Sequence, residues 1–73
     1  MLGKNIQRYR REKGISQRET AKRCKLSRTT YRDIENGKVK NPTLFNICRL
    51  CRGLDVSPNE LIPEEYWKNT KGD

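Results

Sequence analysis

The side chains best equipped for recognition lie between Ile15 and Gly37, in the run ISQRETAKRCKLSRTTYRDIENG. Arg28, Thr29, Arg32 and Asp33 fall at i, i+1, i+4 and i+5. On a helix they share one side if Tyr31 and Ile34 turn inward. That side carries two guanidiniums, a hydroxyl and a carboxylate. A guanidinium pairs bidentately with guanine in the DNA major groove, and a carboxylate accepts from the cytosine amino group. The same four residues also suit an ordinary solvated helix face, and chemistry alone leaves both readings open. Catalysis has less to work with. The chain has no His, which removes Ser-His and Cys-His nucleophilic schemes and His-ligated metal. Cys48-x-x-Cys51 invites a zinc or redox reading, but zinc wants four ligands and Cys24 is the only other thiol. The pair also falls mid-helix, away from the helix N-termini that activate thiolates. Cys24 and Cys51 therefore read as small core residues, and no catalytic residue, metal or cofactor is expected.

The elements that must position these side chains are marked by dense punctuation at Gly14, Asn36-Gly37, Asn41-Pro42, Gly53 and Ser57-Pro58. No piece alternates with period two, so the chain reads as all-α. A first helix over about Leu2–Lys13 puts Leu2, Ile6, Tyr9 and Arg10 on one face. Arg10 on an apolar face requires a partner. Ser16-Gln17-Arg18-Glu19 is a capping-box pattern opening a second helix to Cys24. Ser27 is an N-cap for a third helix that stops at Asn36-Gly37. Only Lys25 and Leu26 separate the second and third helices, which forces a sharp angle between them. A fourth helix starts near Thr43, with Leu44, Ile47, Leu50, Cys51 and Leu54 as its apolar stripe. Ser57-Pro58-Asn59-Glu60-Leu61 opens a fifth with a second capping box and a Val56–Leu61 staple. Residues 1–62 form the domain; residues 63–73 form a tail with one helical turn at Glu64–Trp67 and a disordered end.

Charge narrows the partner. Seventeen Lys and Arg against nine Asp and Glu give +8. Residues 1–40 hold 13 basic and 4 acidic side chains, or +9, whereas residues 41–73 hold 4 and 5, or −1. A basic front and a neutral back point to a polyanion on one face. At 73 residues the chain buries only about 60% of its unfolded surface, so its core is thin. No apolar run approaches the roughly 20 residues of a membrane helix, and Met1–Asn5 lacks a signal-peptide apolar region. The apolar face of the first helix is too sparse for a membrane-surface helix. Three cysteines are an odd number, which favours a reducing, cytoplasmic setting.

The chain resembles the helix-turn-helix domain of phage-repressor-like regulators, the Xre/Cro family. The pattern is Ile6, Arg10, Gly14-Ile15-Ser16-Gln17, Ala21, Ser27, Ile34-Glu35-Asn36-Gly37, Pro42-Thr43-Leu44, Ile47, Leu54, Val56 and Leu61, covering about residues 3–62. The resemblance implies a five-helix, lambda-repressor-like fold with the third helix as recognition helix. It implies base contacts from Arg28, Thr29, Arg32 and Asp33. It implies phosphate contacts from Gln17, which also braces the recognition helix, and from Ser27, Asn36, Lys38 and Lys40. Arg10 and Glu35 match a family pair that forms a buried ion pair. Departures are Lys25 at a turn position that is usually Gly, Thr20 where Leu is usual, and Lys13 where an apolar residue is common. A positive φ at Lys25 would cost about 1 kcal/mol relative to Gly.

The expected function is sequence-specific binding of double-stranded DNA by a transcriptional regulator, a repressor of phage or mobile-element type acting by occlusion. A homodimer on a palindromic operator is expected, with no membrane or small-molecule partner, because a chain this short leaves no room for a sensor domain. The alternatives are an antitoxin that binds a toxin with its C-terminal surface, and an RNA-binding module. The RNA module has little support, since Phe45 and Trp67 share no stripe or sheet on which bases could stack. Trp67 has two readings, packing beneath the tail or lying at a dimer contact.

Overall fold

The computed structural model describes residues 2–68, in which the order is α1 (Leu2–Glu12), α2 (Gln17–Arg23), α3 (Arg28–Glu35), α4 (Leu44–Leu54), α5 (Pro58–Leu61) and a 3-10 turn at Glu64–Tyr66. No strand occurs among the described residues. The expected disordered end at residues 69–73 lies outside them. Short helices persist here because α2 to α5 are each capped by a hydroxyl and each helix buries part of its surface, and not because of their length. The Ser16, Ser27, Thr43 and Ser57 hydroxyls each accept the backbone N–H three residues on. Leu2, Ile6, Ala21, Cys24, Tyr31, Ile34, Ile47, Leu50, Cys51, Leu54 and Leu61 form a single core.

Two capping expectations resolve differently. At α5 the box is complete: Ser57 N–H donates to Glu60 Oε1 (2.8 Å) and Glu60 N–H to Ser57 Oγ (3.2 Å). At α2 only half forms, because the Glu19 carboxylate pairs with Arg23 Nε at 3.1 Å. A guanidinium one turn away competes better for a carboxylate than a neutral amide does.

The tight link after α2 places Lys25 at φ 57°, the left-handed conformation expected of that turn. Its carbonyl accepts from Arg49 Nη1 at 3.2 Å, and Leu26 N–H closes the helix end on Ala21 O at 2.9 Å. Thr20, in place of an apolar residue, is fully buried and donates its hydroxyl to Ser16 O at 2.8 Å.

Gly53, one of the punctuating residues, does not interrupt the fourth helix, which runs to Leu54 as its apolar stripe predicts. It lies within α4, where a Cβ would overlap the Sγ and backbone of Cys24 on α2. The actual stop is Asp55, left-handed at φ 58°, with Val56 N–H bonded to Cys51 O at 3.0 Å. Leu44 also departs from its expected place. It is the first residue of α4 and is 78% exposed, although Ile47 in the same turn is buried.

The tail folds back on the domain. Tyr66 lies on a shelf with Leu2, Lys40, Pro42, Ile47 and Ile62, and Trp67 Nε1 donates to Ile62 O at 3.3 Å. Trp67 is nevertheless 54% exposed, so its ring is not a core residue. Asn5 Nδ2 donates to Leu61 O (2.9 Å) and ties α1 to α5.

Candidate nucleic-acid interface

α3 sets the orientation of its outward residues by burying Tyr31 and Ile34 completely. Arg28, Thr29 and Arg32 are then exposed, and Asp33 is half-buried. Arg28, Thr29 and Arg32 line one shallow depression together with Arg10, Ser16, Gln17 and Arg18. The structure thus brings the start of α2 and the outer face of α3 to one basic concave surface. Asp33 stands apart from that depression, and its carbonyl anchors the following loop by accepting Lys38 N–H (2.9 Å) and Val39 N–H (3.1 Å). The loop carries Asn36, Lys38 and Lys40, all exposed. Asn36 caps α3 from its C-terminal side. The Ser27 hydroxyl is spent on its own helix, accepting from Thr30 N–H (3.0 Å) and donating to Thr30 Oγ1 (2.8 Å).

Arg18 escaped the sequence reading. It lines this depression and the adjoining one formed with Glu19, Lys22 and Leu26, so it stands on the ridge between them beside Arg28. The available signal was a guanidinium at the second position of a helix that opens at Ser16-Gln17.

Beneath this surface the Glu35 carboxylate accepts four hydrogen bonds. Arg10 donates through Nε to Oε1 (2.9 Å) and through Nη2 to Oε2 (3.1 Å). Gln17 Nε2 donates to Oε2 (2.9 Å) and the Tyr31 hydroxyl to Oε1 (2.5 Å). Arg10 Nη1 also donates to Ile15 O at 3.0 Å. The Glu35 side chain is 1% exposed and that of Arg10 13%. Burial alone pushes the Glu35 carboxyl up, but the bonds from Arg10, Tyr31 and Gln17 outweigh it and hold it below the ordinary carboxylate range. The same contact raises Arg10, and burial with the Glu35 bond raises the Tyr31 phenol. The network joins α1, α2 and α3, fixing the recognition face relative to α2. An amide nitrogen carries two protons, so Gln17 keeps one N–H beyond its bond to Glu35.

The cysteines do not build a site. Cys24 and Cys51 are buried and Cys48 is exposed. Burial, with Cys51 nearby, pushes the Cys24 thiol up to about 11, and burial likewise raises Cys51. Both buried thiols therefore stay protonated and unreactive near neutrality. Among the described residues no three of His, Cys, Asp and Glu stand close enough to hold a metal ion, and no helix is long and apolar enough to cross a membrane.

A capped helix, a tight turn and a second helix presenting guanidiniums outward define a helix-turn-helix DNA-binding domain. The helix-turn-helix family model matches residues 6–61. The uncharacterized HTH-type transcriptional regulator y4dJ of Sinorhizobium fredii is 37% identical over 62 residues, 85% of this chain and 79% of that protein. Control protein C.MunI of Mycoplasma sp is 36% identical, over 86% of this chain and 85% of that one. The regulator SinR of Bacillus subtilis is 32% identical over 90% of this chain, which spans 60% of SinR's length. The crystal structure of the restriction-modification controller protein C.AhdI from Aeromonas hydrophila superposes with a TM-score of 0.78 at 34% identity, covering 84% of this chain and 91% of that one. The chain belongs to the phage-repressor-like, Xre-type helix-turn-helix family, a family of DNA-binding regulators rather than enzymes.

Proposed function

We propose that this protein binds double-stranded DNA sequence-specifically and regulates transcription as a repressor of phage or mobile-element type, by occluding its operator. The observation that carries the reading is the concave face on which Arg28, Thr29 and Arg32 stand beside Gln17 and Arg18, over a buried network that fixes α3. Arg28, Thr29, Arg32 and Asp33 read base edges in the major groove. Gln17, through its second N–H, contacts phosphate together with Ser27, Asn36, Lys38 and Lys40. The hydroxyl of Ser27 already serves its cap, so its contact runs through the backbone amide at the start of α3.

One recognition helix reads only a few base pairs, so useful specificity requires two copies. A two-fold homodimer sets its recognition helices about 34 Å apart, one DNA turn, on a palindromic site. The contact runs through the C-terminal side from Val56 to Trp67, in the half of the chain whose net charge is −1. Selection of bound sites from a random duplex library tests the whole reading. A palindromic consensus with half-sites one turn apart is the expected result. Recovery of no consensus, or displacement of duplex by single-stranded RNA at equal concentration, would refute it.

A further inference from the structure

A second basic surface lies away from the recognition face. The outer side of α4 carries Phe45, Arg49 and Arg52, and the groove between it and the end of α2 is closed by Arg23 and Lys25. The grouping arises from folding. Arg49 and Arg52 belong to the half of the chain whose net charge is −1, and packing of α4 on α2 brings them to the basic half.

The groove is preorganised. The Arg49 guanidinium stacks over the Phe45 ring at 4.4 Å and donates Nη1 to Lys25 O at 3.2 Å. Among the described residues no carboxylate lies within 4 Å of a nitrogen of Arg49, Arg52 or Lys25, whereas Arg23 is paired with Glu19. Phe45 is 65% exposed. The surface therefore presents cations around an exposed aromatic ring. That suits a segment carrying both carboxylates and apolar rings.

The described chain holds one such segment, Glu64-Glu65-Tyr66-Trp67. Both glutamates are exposed, as are Tyr66 and Trp67. Glu64 is only loosely held by Lys68, at 3.9 Å on the surface. The tail does not fill its own groove. It rests on the shelf of Leu2, Lys40, Pro42, Ile47 and Ile62, which shares no residue with the α2–α4 groove. We infer that the α2–α4 groove receives the Glu64–Trp67 segment of a second copy of this chain. Each copy holds both halves of the contact, so a two-fold pair forms it twice. This inference rests on the proposal that two copies act together, and it names the surface that the C-terminal face meets.

Charge reversal tests it with the full-length chain and no DNA. Analytical ultracentrifugation over about 1 μM to 1 mM protein spans weak to moderate association. The wild type should dimerise within that range. Arg49→Glu/Arg52→Glu and Glu64→Arg/Glu65→Arg should each weaken self-association at least about tenfold. An equimolar mixture of the two variants should dimerise again, because each supplies what the other now repels. That rescue also demonstrates that both variants fold. A monomeric wild type, single variants that dimerise normally, or a mixture without rescue would each overturn the inference. Binding to a half-site duplex, measured in parallel, reads the DNA face alone. Its loss with dimerisation intact would count against the DNA-binding proposal and not against this interface.

Discussion

The Glu35→Gln substitution isolates the network under the recognition face. It keeps the side-chain volume and replaces an acceptor-only carboxylate by an amide with one oxygen and one NH₂. Four donors now converge on Glu35, two from Arg10 and one each from Tyr31 and Gln17. An amide oxygen satisfies at most two of them, and its NH₂ faces the others. Arg10 loses its counter-charge at a site where its side chain is 13% exposed. Breaking a buried pair from one side costs about 3–5 kcal/mol. A domain of 73 residues has a total of roughly 4–11 kcal/mol at the usual stability per residue. At about 4–8 °C per kcal/mol for this size, the melting temperature should fall by at least about 12 °C. Replacing both partners, as Arg10→Met with Glu35→Leu, should cost less than Glu35→Gln, although Tyr31 and Gln17 then lose their acceptor.

The pH dependence carries the sign. Glu35 is held below its ordinary value, so its contribution is complete above about pH 4.3 and is lost as pH falls through the lowered folded value. Urea midpoints of wild type and Glu35→Gln, followed by circular dichroism, should converge on acidification through that window. Tyr31 is raised, so its contribution holds below about pH 10 and declines above it. Equal midpoints at pH 7, or a gap between the two proteins that stays constant into acid, would refute this account of the network.

DNA affinity should fall with log salt at a slope near −5 if about six phosphates are met per monomer; a flat response in a salt titration would remove the polyanion partner. Arg28→Ala should cost about 1–3 kcal/mol on the selected site and relax one base pair, whereas Lys38→Ala should weaken all sequences alike and lower the salt slope by about 1. Arg18→Ala should behave like Lys38→Ala, and loss of discrimination at a base pair would instead make Arg18 a reader. Gly53→Ala should destabilise by about 1–3 kcal/mol, since its Cβ meets Cys24 backbone as well as its Sγ; an unchanged thermal midpoint would show that α2 and α4 can separate freely.

Much of this arrangement is legible in the residues. The serine caps at Ser16, Ser27 and Ser57 announce three helix starts, and the outward register of Arg28, Thr29 and Arg32 follows once Tyr31 and Ile34 are assigned to the core. What escapes the sequence depends on distances between elements. Gly53 reads as punctuation until α2 is found against it, and nothing local predicts that approach. Asp55 tolerates the left-handed conformation that a short polar side chain allows, but its type does not announce it. Leu44 fits the apolar period of α4 and is exposed, because periodicity reports a face and not whether anything covers it. Arg18 and the Arg23–Arg52 groove share a cause: a charge count along the chain cannot show which cations a turn or a helix pair will gather.

The thin core and the recognition face meet in one structural device. Few large apolar residues are available, and the helices compensate by approaching closely at small residues. A Cβ at Gly3 would overlap the Glu35 carbonyl, just as one at Gly53 would overlap Cys24. Close approach leaves no room for water, so a polar side chain inside must find protein partners. Among the described residues no buried side-chain nitrogen or oxygen lacks one. Glu35 satisfies this condition by drawing on α1 and α2 as well as on α3 itself. It thereby fixes the angle of the recognition helix with hydrogen bonds, which are directional in a way that a methyl contact is not. Gln17 belongs to that network through one N–H and faces the proposed phosphate with the other. On the proposed reading, one side chain would thus touch both the phosphate and the carboxylate that holds the helix carrying Arg28 and Arg32.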